Sequence, residues 1–129
     1  MLLDTSGLFC YHHQAEPDHQ AAITLFEAAG AKLTHSFVLA EFVALTHARK
    51  LPRKPALNFL KTLLEHPEVE VVWVNESIYQ AAFALLEARA DKGYSLCDAV
   101  SFVLMRERGL AEALTTDHHF EQERFRKLL

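Results

Sequence analysis

The sequence predicts an α/β fold, a single domain with a central parallel sheet flanked by helices. Three observations predict it. Short apolar or β-branched runs recur at residues 2–3, 31–34, 69–74 and 113–116. Segments with apolar residues at helical spacing separate these runs, long enough to cross over between parallel strands. The length, 129 residues, suits one domain that buries roughly two-thirds of its unfolded surface, so no disulfide or structural metal is needed to hold it.

Leu2-Leu3 reads as a short buried strand, and Thr5 and Ser6 open a helix running to about His13. Pro17 and Asp18 start a second helix, with Ala21, Ile23, Leu25, Phe26 and Ala29 as its apolar positions and Gly30 as its end. Residues 31–34 follow as a strand. Ser36 is placed to cap a third helix whose apolar stripe runs Phe37, Ala40, Ala44, Leu45 and Ala48. Pro52 and Pro55 break and restart the chain before a fourth helix through Leu57, Leu60, Leu63 and Leu64, closed by Pro67. Residues 69–74, β-branched and aromatic, form the clearest strand. Asn75 or Ser77 caps a long helix through Ile78, Ala82, Leu85, Leu86 and Ala90, closed near Gly93. Ser95 opens the next, through Val100, Val103 and Leu104, and Gly109 ends it. Residues 113–116 make a last short strand, followed by a brief helix and a hydrophobic tail over 125–129.

The formal net charge is −4 with histidines neutral, which argues against holding nucleic acid by bulk positive charge. It leaves room for an enzyme that holds phosphate through bound cations and a local basic patch. Cys10 and Cys97 are far apart and form no CxxC, as in a reduced cytoplasmic protein. The acid at position four of Met1-Leu2-Leu3-Asp4 excludes a signal-peptide core. No uncharged apolar run approaches the ~18–20 residues that span a bilayer, so no membrane segment is expected.

In parallel α/β sheets, sites gather beyond the carboxyl ends of the strands. Asp4 ends the first strand and Asp117 ends the last, which aims both into one crevice. Glu41 has Phe37, Val38, Ala44 and Leu45 as helical neighbours, an apolar setting costly for a glutamate unless it is paired or bound to a cation. Asp98 shares a helix face with Phe102 and Met105. Each acid also has a structural explanation. Asp4 and Asp117 can cap helices, Ser95-x-x-Asp98 fits a capping box, and Glu41 can sit in a buried salt bridge. As a set, hard carboxylate oxygens suit Mg²⁺ or Mn²⁺. One or two such ions can activate water and stabilise a leaving oxygen, so no general-base side chain is required.

Asp4-Thr5-Ser6 at the N-terminus, Glu41 on the third helix, Ser95-x-x-Asp98-Ala99 and Thr115-x-Asp117-x-x-Phe120 resemble, in order and spacing, the motifs of PIN-domain ribonucleases. Within that superfamily the chain looks most like the compact VapC-type toxins of bacterial and archaeal toxin–antitoxin pairs. The match covers nearly the whole chain, so residues 1–129 are expected to form a single PIN-like nuclease domain. The resemblance implies an endoribonuclease that hydrolyses RNA phosphodiester bonds with Mg²⁺ or Mn²⁺. It assigns Asp4, Glu41, Asp98 and Asp117 as catalytic, metal-site acids, with Asp117 binding directly or through water. It makes Ser6 and Thr115 the supporting hydroxyls. It further implies an RNA substrate, a cognate antitoxin protein and a homodimer. One departure from the pattern is the lack of a glycine between Phe120 and the final short strand.

Arg49, Lys50, Arg53 and Lys54 form the one dense basic cluster, either a solvated helix end or a phosphate-contacting rim. Arg124, Arg126 and Lys127 are a second, sparser set. His12-His13 and His118-His119 lie near the acids in sequence, with Cys10 and Cys97, but match no zinc spacing and read mainly as surface residues. The aromatics Phe26, Phe37, Phe42, Phe59, Trp73 and Phe83 fall at core spacing, leaving no stacking platform for RNA. Two other functions compete. A phosphatase of the haloacid-dehalogenase kind needs a second aspartate where Ser6 stands. A non-catalytic α/β binding module would use its acids only as caps, and a metal requirement for activity separates it from a nuclease.

Overall fold

In the computed structural model, which describes residues 1–129, five short strands lie parallel in one sheet. They are β1 (Leu2–Leu3), β2 (Lys32–His35), β3 (Val69–Val72), β4 (Glu112–Leu114) and β5 (Arg126–Lys127), in the order β3-β2-β1-β4-β5. The helices are α1 (Thr5–His12), α2 (His19–Ala28), α3 (Ser36–Ala48), α4 (Arg53–Glu65), α5 (Glu76–Ala88), α6 (Leu96–Arg108) and α7 (His119–Gln122).

The central strand has only two residues, both fully buried. Successive strand side chains point to opposite faces. Leu2 therefore joins one core with Phe102, Met105 and Phe120, whereas Leu3 joins the other with Leu8, Phe42 and Leu114. Helices cover both faces, as a parallel sheet requires. Asn75 caps α5, its Oδ1 accepting from Ile78 N at 2.9 Å, and Gly109 ends α6 at φ 63°, in the left-handed region.

Four local expectations are corrected. Ser36 does not cap α3; its hydroxyl accepts from Val74 N at 2.9 Å and ties the helix start to the chain leaving β3. The buried face of α3 is Val38, Leu39, Phe42 and Thr46, while Ala40, Ala44 and Ala48 face solvent. This helix is apolar on nearly every side, so spacing alone does not choose its inner face. Pro55 lies inside the first turn of α4, where a missing N–H is no loss. Trp73 and Phe83 are exposed, because β3 is an edge strand ending at Val72 and Phe83 lies on the outer side of α5.

The final strand forms without a preceding glycine. Arg124 itself takes φ 68°, and the chain then enters β5, pairing Arg126 with Glu112 and Lys127 with Ala113. Gly7 is required by contact rather than by a turn. A Cβ there would meet the carbonyl oxygen of Leu114 at 2.0 Å, so α1 rests directly on the β4 backbone.

Candidate active site

Asp4 stands where β1 passes into α1, and its backbone N–H donates to Leu114 O at 3.2 Å. Because β1 and β4 are paired neighbours, the residues following β4 emerge beside it. Two hydroxyls converge on one oxygen of the acid. Thr115 Oγ1 donates to Asp4 Oδ2 at 2.8 Å and Ser6 Oγ donates to the same atom at 3.1 Å. The two hydroxyl oxygens are 3.0 Å apart. Each accepts in turn from the backbone, Ser6 from Thr116 N and Thr115 from Asp117 N, both at 3.0 Å. Ser6 and Thr115 therefore fix the Asp4 carboxylate and the path of the chain toward Asp117 together.

Asp4 makes no capping bond, so the cap explanation fails for it. It is 4% exposed, and no lysine or arginine pairs with it. Burial raises its pKa to about 6, against the Thr115 hydroxyl, which holds it down, and with the nearby Asp98 charge adding to the rise.

Asp98 does form the predicted capping box: Ser95 N donates to its Oδ2 at 2.9 Å, and its own N–H donates to Ser95 Oγ at 3.0 Å. Its pKa is also raised, by burial first and then by Asp117. Asp117 Oδ1 accepts from His119 N at 2.9 Å, a capping role at the start of α7. His119 Nδ1 lies 3.3 Å from Asp98 Oδ2 and 3.3 Å from Asp117 Oδ2, so one ring bridges the two acids.

Glu41 is exposed on α3 and has no salt-bridge partner, which overturns the buried setting expected for it and removes the salt bridge as its alternative explanation. The apolar residues around it in sequence lie partly on the outer face of the helix. Its charge nevertheless acts on Cys97, the residue before Asp98. Burial, then Glu41, Asp4 and Asp98 in that order, push the Cys97 thiol far up, so this buried cysteine is an inert neutral group among three acids.

Asp117, His118 and His119 offer ligand atoms within 4.8 Å of one another, so this histidine pair adjoins the acids rather than forming a separate centre with the cysteines. Arg49, Lys50, Arg53 and Lys54 are exposed around the end of α3 and the start of α4. Arg49 is engaged with Glu16 at 3.0 Å and lies over the Phe9 ring at 4.9 Å. Arg53 and Lys54 sit at a helix N-terminus, where the dipole does not favour cations. Two contributors carry little signal in the sequence. Gly7 looks like an ordinary helical glycine, and His119 is one of eight histidines, marked only by following Asp117 closely.

A family model described as the PIN domain matches residues 1–125. No curated protein matches the chain. Eleven solved chains do. One is the crystal structure of the Mycobacterium tuberculosis toxin VapC20, described as cleaving the sarcin–ricin loop. It superposes with a TM-score of 0.88, covering 98% of this chain and 96% of that one at 24% identity. Nothing in these comparisons supports a haloacid-dehalogenase-like phosphatase, and Ser6 meets Asp4 where that chemistry needs a second acid.

Proposed function

From the premise that the chain belongs to the PIN domain family, we propose that residues 1–129 act as one metal-dependent endoribonuclease domain and as the toxin of a toxin–antitoxin pair. The observation that carries this reading is Asp4: buried, capping nothing, paired with no cation, and held by Ser6 and Thr115 at the end of the central strand. An acid so placed fits a hard cation, and Asp98, whose charge acts on Asp4, together with Asp117 and the exposed Glu41 would supply further oxygen ligands of the same kind. Asp4, Glu41, Asp98 and Asp117 would hold Mg²⁺ or Mn²⁺. When bound, such an ion activates water and stabilises the leaving oxygen of the phosphodiester.

The chain's own residues provide orientation. The two hydroxyls hold Asp4 Oδ2, the Ser95 N–H holds Asp98 Oδ2, and His119 sets the Asp98 and Asp117 carboxylates against each other. Lys50, Arg53 and Lys54, which no acid pairs, join Arg49 as a rim for the RNA backbone. A non-catalytic module is favoured only by the capping bonds of Asp98 and Asp117, and it leaves the burial of Asp4 without a purpose.

Incubation with a structured RNA tests this proposal. Cleavage should need Mg²⁺ or Mn²⁺, stop with EDTA and return on metal addition. Cleavage indifferent to EDTA, or none with either ion, overturns it. The toxin reading adds a cognate antitoxin and a second copy of the chain as partners, and action in the cytoplasm. No helix is long and apolar enough to cross a membrane. Expression of the chain alone should arrest growth, with relief by the neighbouring reading frame. Free growth without relief removes the toxin role and leaves the nuclease.

A further inference from the structure

Around the C-terminal end of α7 lies an open depression of about 430 Å³ lined by six residues, none hydrophobic: Arg89, Lys92, Arg106, Gln122, Glu123 and Arg124. We propose that it binds a backbone phosphate of the RNA strand engaged at the acidic site, a proposal that rests on the nuclease reading above. Four of the six are cations and one is an acid, in a chain whose net charge is −4. Positive charge is therefore gathered here against the composition.

The single acid is spent inside the cluster. Glu123 is 5% exposed; its Oε1 accepts from Arg89 Nε at 2.9 Å and from the Tyr94 hydroxyl at 3.0 Å, and its Oε2 accepts from the Arg106 guanidinium. One carboxylate thus braces two guanidiniums, each of which keeps further N–H donors. Their side chains remain 42% and 44% exposed. Braced, forked donors facing water suit a phosphate, which takes paired N–H bonds from arginine. An ion pair built only for stability needs one cation per acid. Here Arg124 has no acid partner, and Lys92 has only the exposed Asp91 at 3.8 Å.

Arg124 closes α7, its N–H donating to Glu121 O at 3.0 Å while Phe125 N donates to Phe120 O at 2.9 Å. This closing residue holds φ 68°, a conformation that glycine adopts freely and a long side chain does not. That turn sets Arg124 among the residues lining the depression. The depression is also joined to the acids by direct contacts. The Tyr94 hydroxyl meets Glu123, the Tyr94 ring packs edge-on against His119 at 5.2 Å, and His119 Nδ1 is 3.3 Å from both Asp98 and Asp117. A strand lying across the acids would carry one of its next phosphates past α7 and into the cationic depression. Such a contact positions the strand and reads no base.

The test uses the full chain with Lys92→Gln and Arg124→Gly together, which leaves the Arg89–Glu123–Arg106 brace in place. Glycine relieves the left-handed strain at 124, so this variant should melt no lower than wild type. Binding is read by fluorescence anisotropy with a labelled, 2′-O-methylated hairpin RNA that resists cleavage. The dissociation constant should rise about tenfold. The slope of log K against log salt should fall by about 0.7–1 for each phosphate that is no longer neutralised, alike for hairpins of different sequence. With cleavable RNA, KM should rise while kcat stays within about twofold. The same charge change elsewhere, Lys61→Gln with Arg108→Gln, should leave affinity and slope as in wild type. Unchanged binding by the Lys92/Arg124 variant, or a weakening no larger than in that control, overturns the proposal. If wild type cleaves and the variant binds normally, this site fails and the nuclease stands. If wild type binds through these cations but never cleaves, the nuclease reading fails instead.

Discussion

Replacing Asp98 by asparagine separates the two uses of one side chain. As a cap, Asp98 needs an oxygen that accepts from Ser95 N, and an asparagine oxygen does this. The reverse bond, from Asp98 N to Ser95 Oγ, involves the backbone and survives. Losing the charge at the start of α6 costs about 0.3–1 kcal/mol. Burial and the Asp117 charge both disfavour that ionised carboxylate, so its removal returns part of the cost. The melting temperature should move by only a few degrees. As a metal ligand, an amide is a poor substitute for a hard carboxylate oxygen. Metal assistance supplies several kcal/mol at the transition state, and each ~1.36 kcal/mol is tenfold in rate. A loss of at least about 10³-fold in single-turnover cleavage of a structured RNA is expected, beside a near-normal melting curve. Cleavage at the wild-type rate by a folded Asp98→Asn protein would leave Asp98 as a cap alone and refute its place in the site.

Magnesium at ~10 mM should stabilise the fold by about 1.4 kcal/mol if the dissociation constant is near 1 mM; a melting temperature blind to Mg²⁺ and Mn²⁺ at constant ionic strength contradicts a metal site. In metal-free protein two buried groups should give opposing pH slopes in urea unfolding. Asp4, raised from 3.8 to about 6, keeps its proton longer when folded, so its share of stability falls by about 3 kcal/mol as pH climbs through that window. His35, lowered by burial from 6.5 to about 4, sheds its proton when folded, so its share rises by a similar ~3 kcal/mol from pH 4 to 6.5. Asp4→Asn should therefore leave a stability that rises with pH, and His35→Gln one that falls; parallel curves for the two variants exclude this assignment. Gly7→Ala forces a Cβ against the Leu114 carbonyl and should cost about 3 kcal/mol or more in urea midpoint measurements, with cleavage lost as α1 lifts; wild-type stability refutes the close approach.

What was legible in the sequence follows how each residue is constrained. Leu2-Leu3, the Ser95–Asp98 box and Gly109 are local signals, and the structure carries all three as read. Asp4 was legible as a strand-end acid, and the parallel pairing of β1 with β4 brings the residues after both strands to one end of the sheet, although Asp117 lies three residues beyond Leu114 rather than at the strand end. The face of α3 was not legible, since Val38, Leu39 and Phe42 compete with Phe37, Ala40 and Ala44 for the interior on equal hydrophobic terms. That ambiguity misplaced Glu41, whose burial was inferred from neighbours that partly face water. Strand β5 was legible only through the family resemblance, for another reason. It has two residues and is entered through Arg124, a residue type that does not advertise a left-handed turn. Gly7 acts through Leu114, and His119 joins its near neighbour Asp117 to the distant Asp98; no local pattern records the long-range contacts.

The placement of Asp4 shows why a small domain can hold an unpaired buried acid at all. Its ionisation above pH 6 costs the metal-free fold about 3 kcal/mol. The same two-residue strand that delivers Asp4 buries Leu2 and Leu3 completely, in separate cores on opposite faces, at about 1.5–3 kcal/mol each. Favourable and unfavourable terms thus sit on adjacent residues, and the strand cannot shift to expose the acid without tearing a leucine from each core. Ser6 from α1 and Thr115 after β4 then fix the carboxylate against elements anchored by those same cores. An acid that is rigid, dehydrated and without a cation is poor for stability and well prepared for a metal ion, since no reorganisation remains to be done on binding. Asp4→Asn should accordingly raise stability at pH 7 in the absence of metal while removing cleavage, the opposing effects expected of a residue kept for function rather than for the fold.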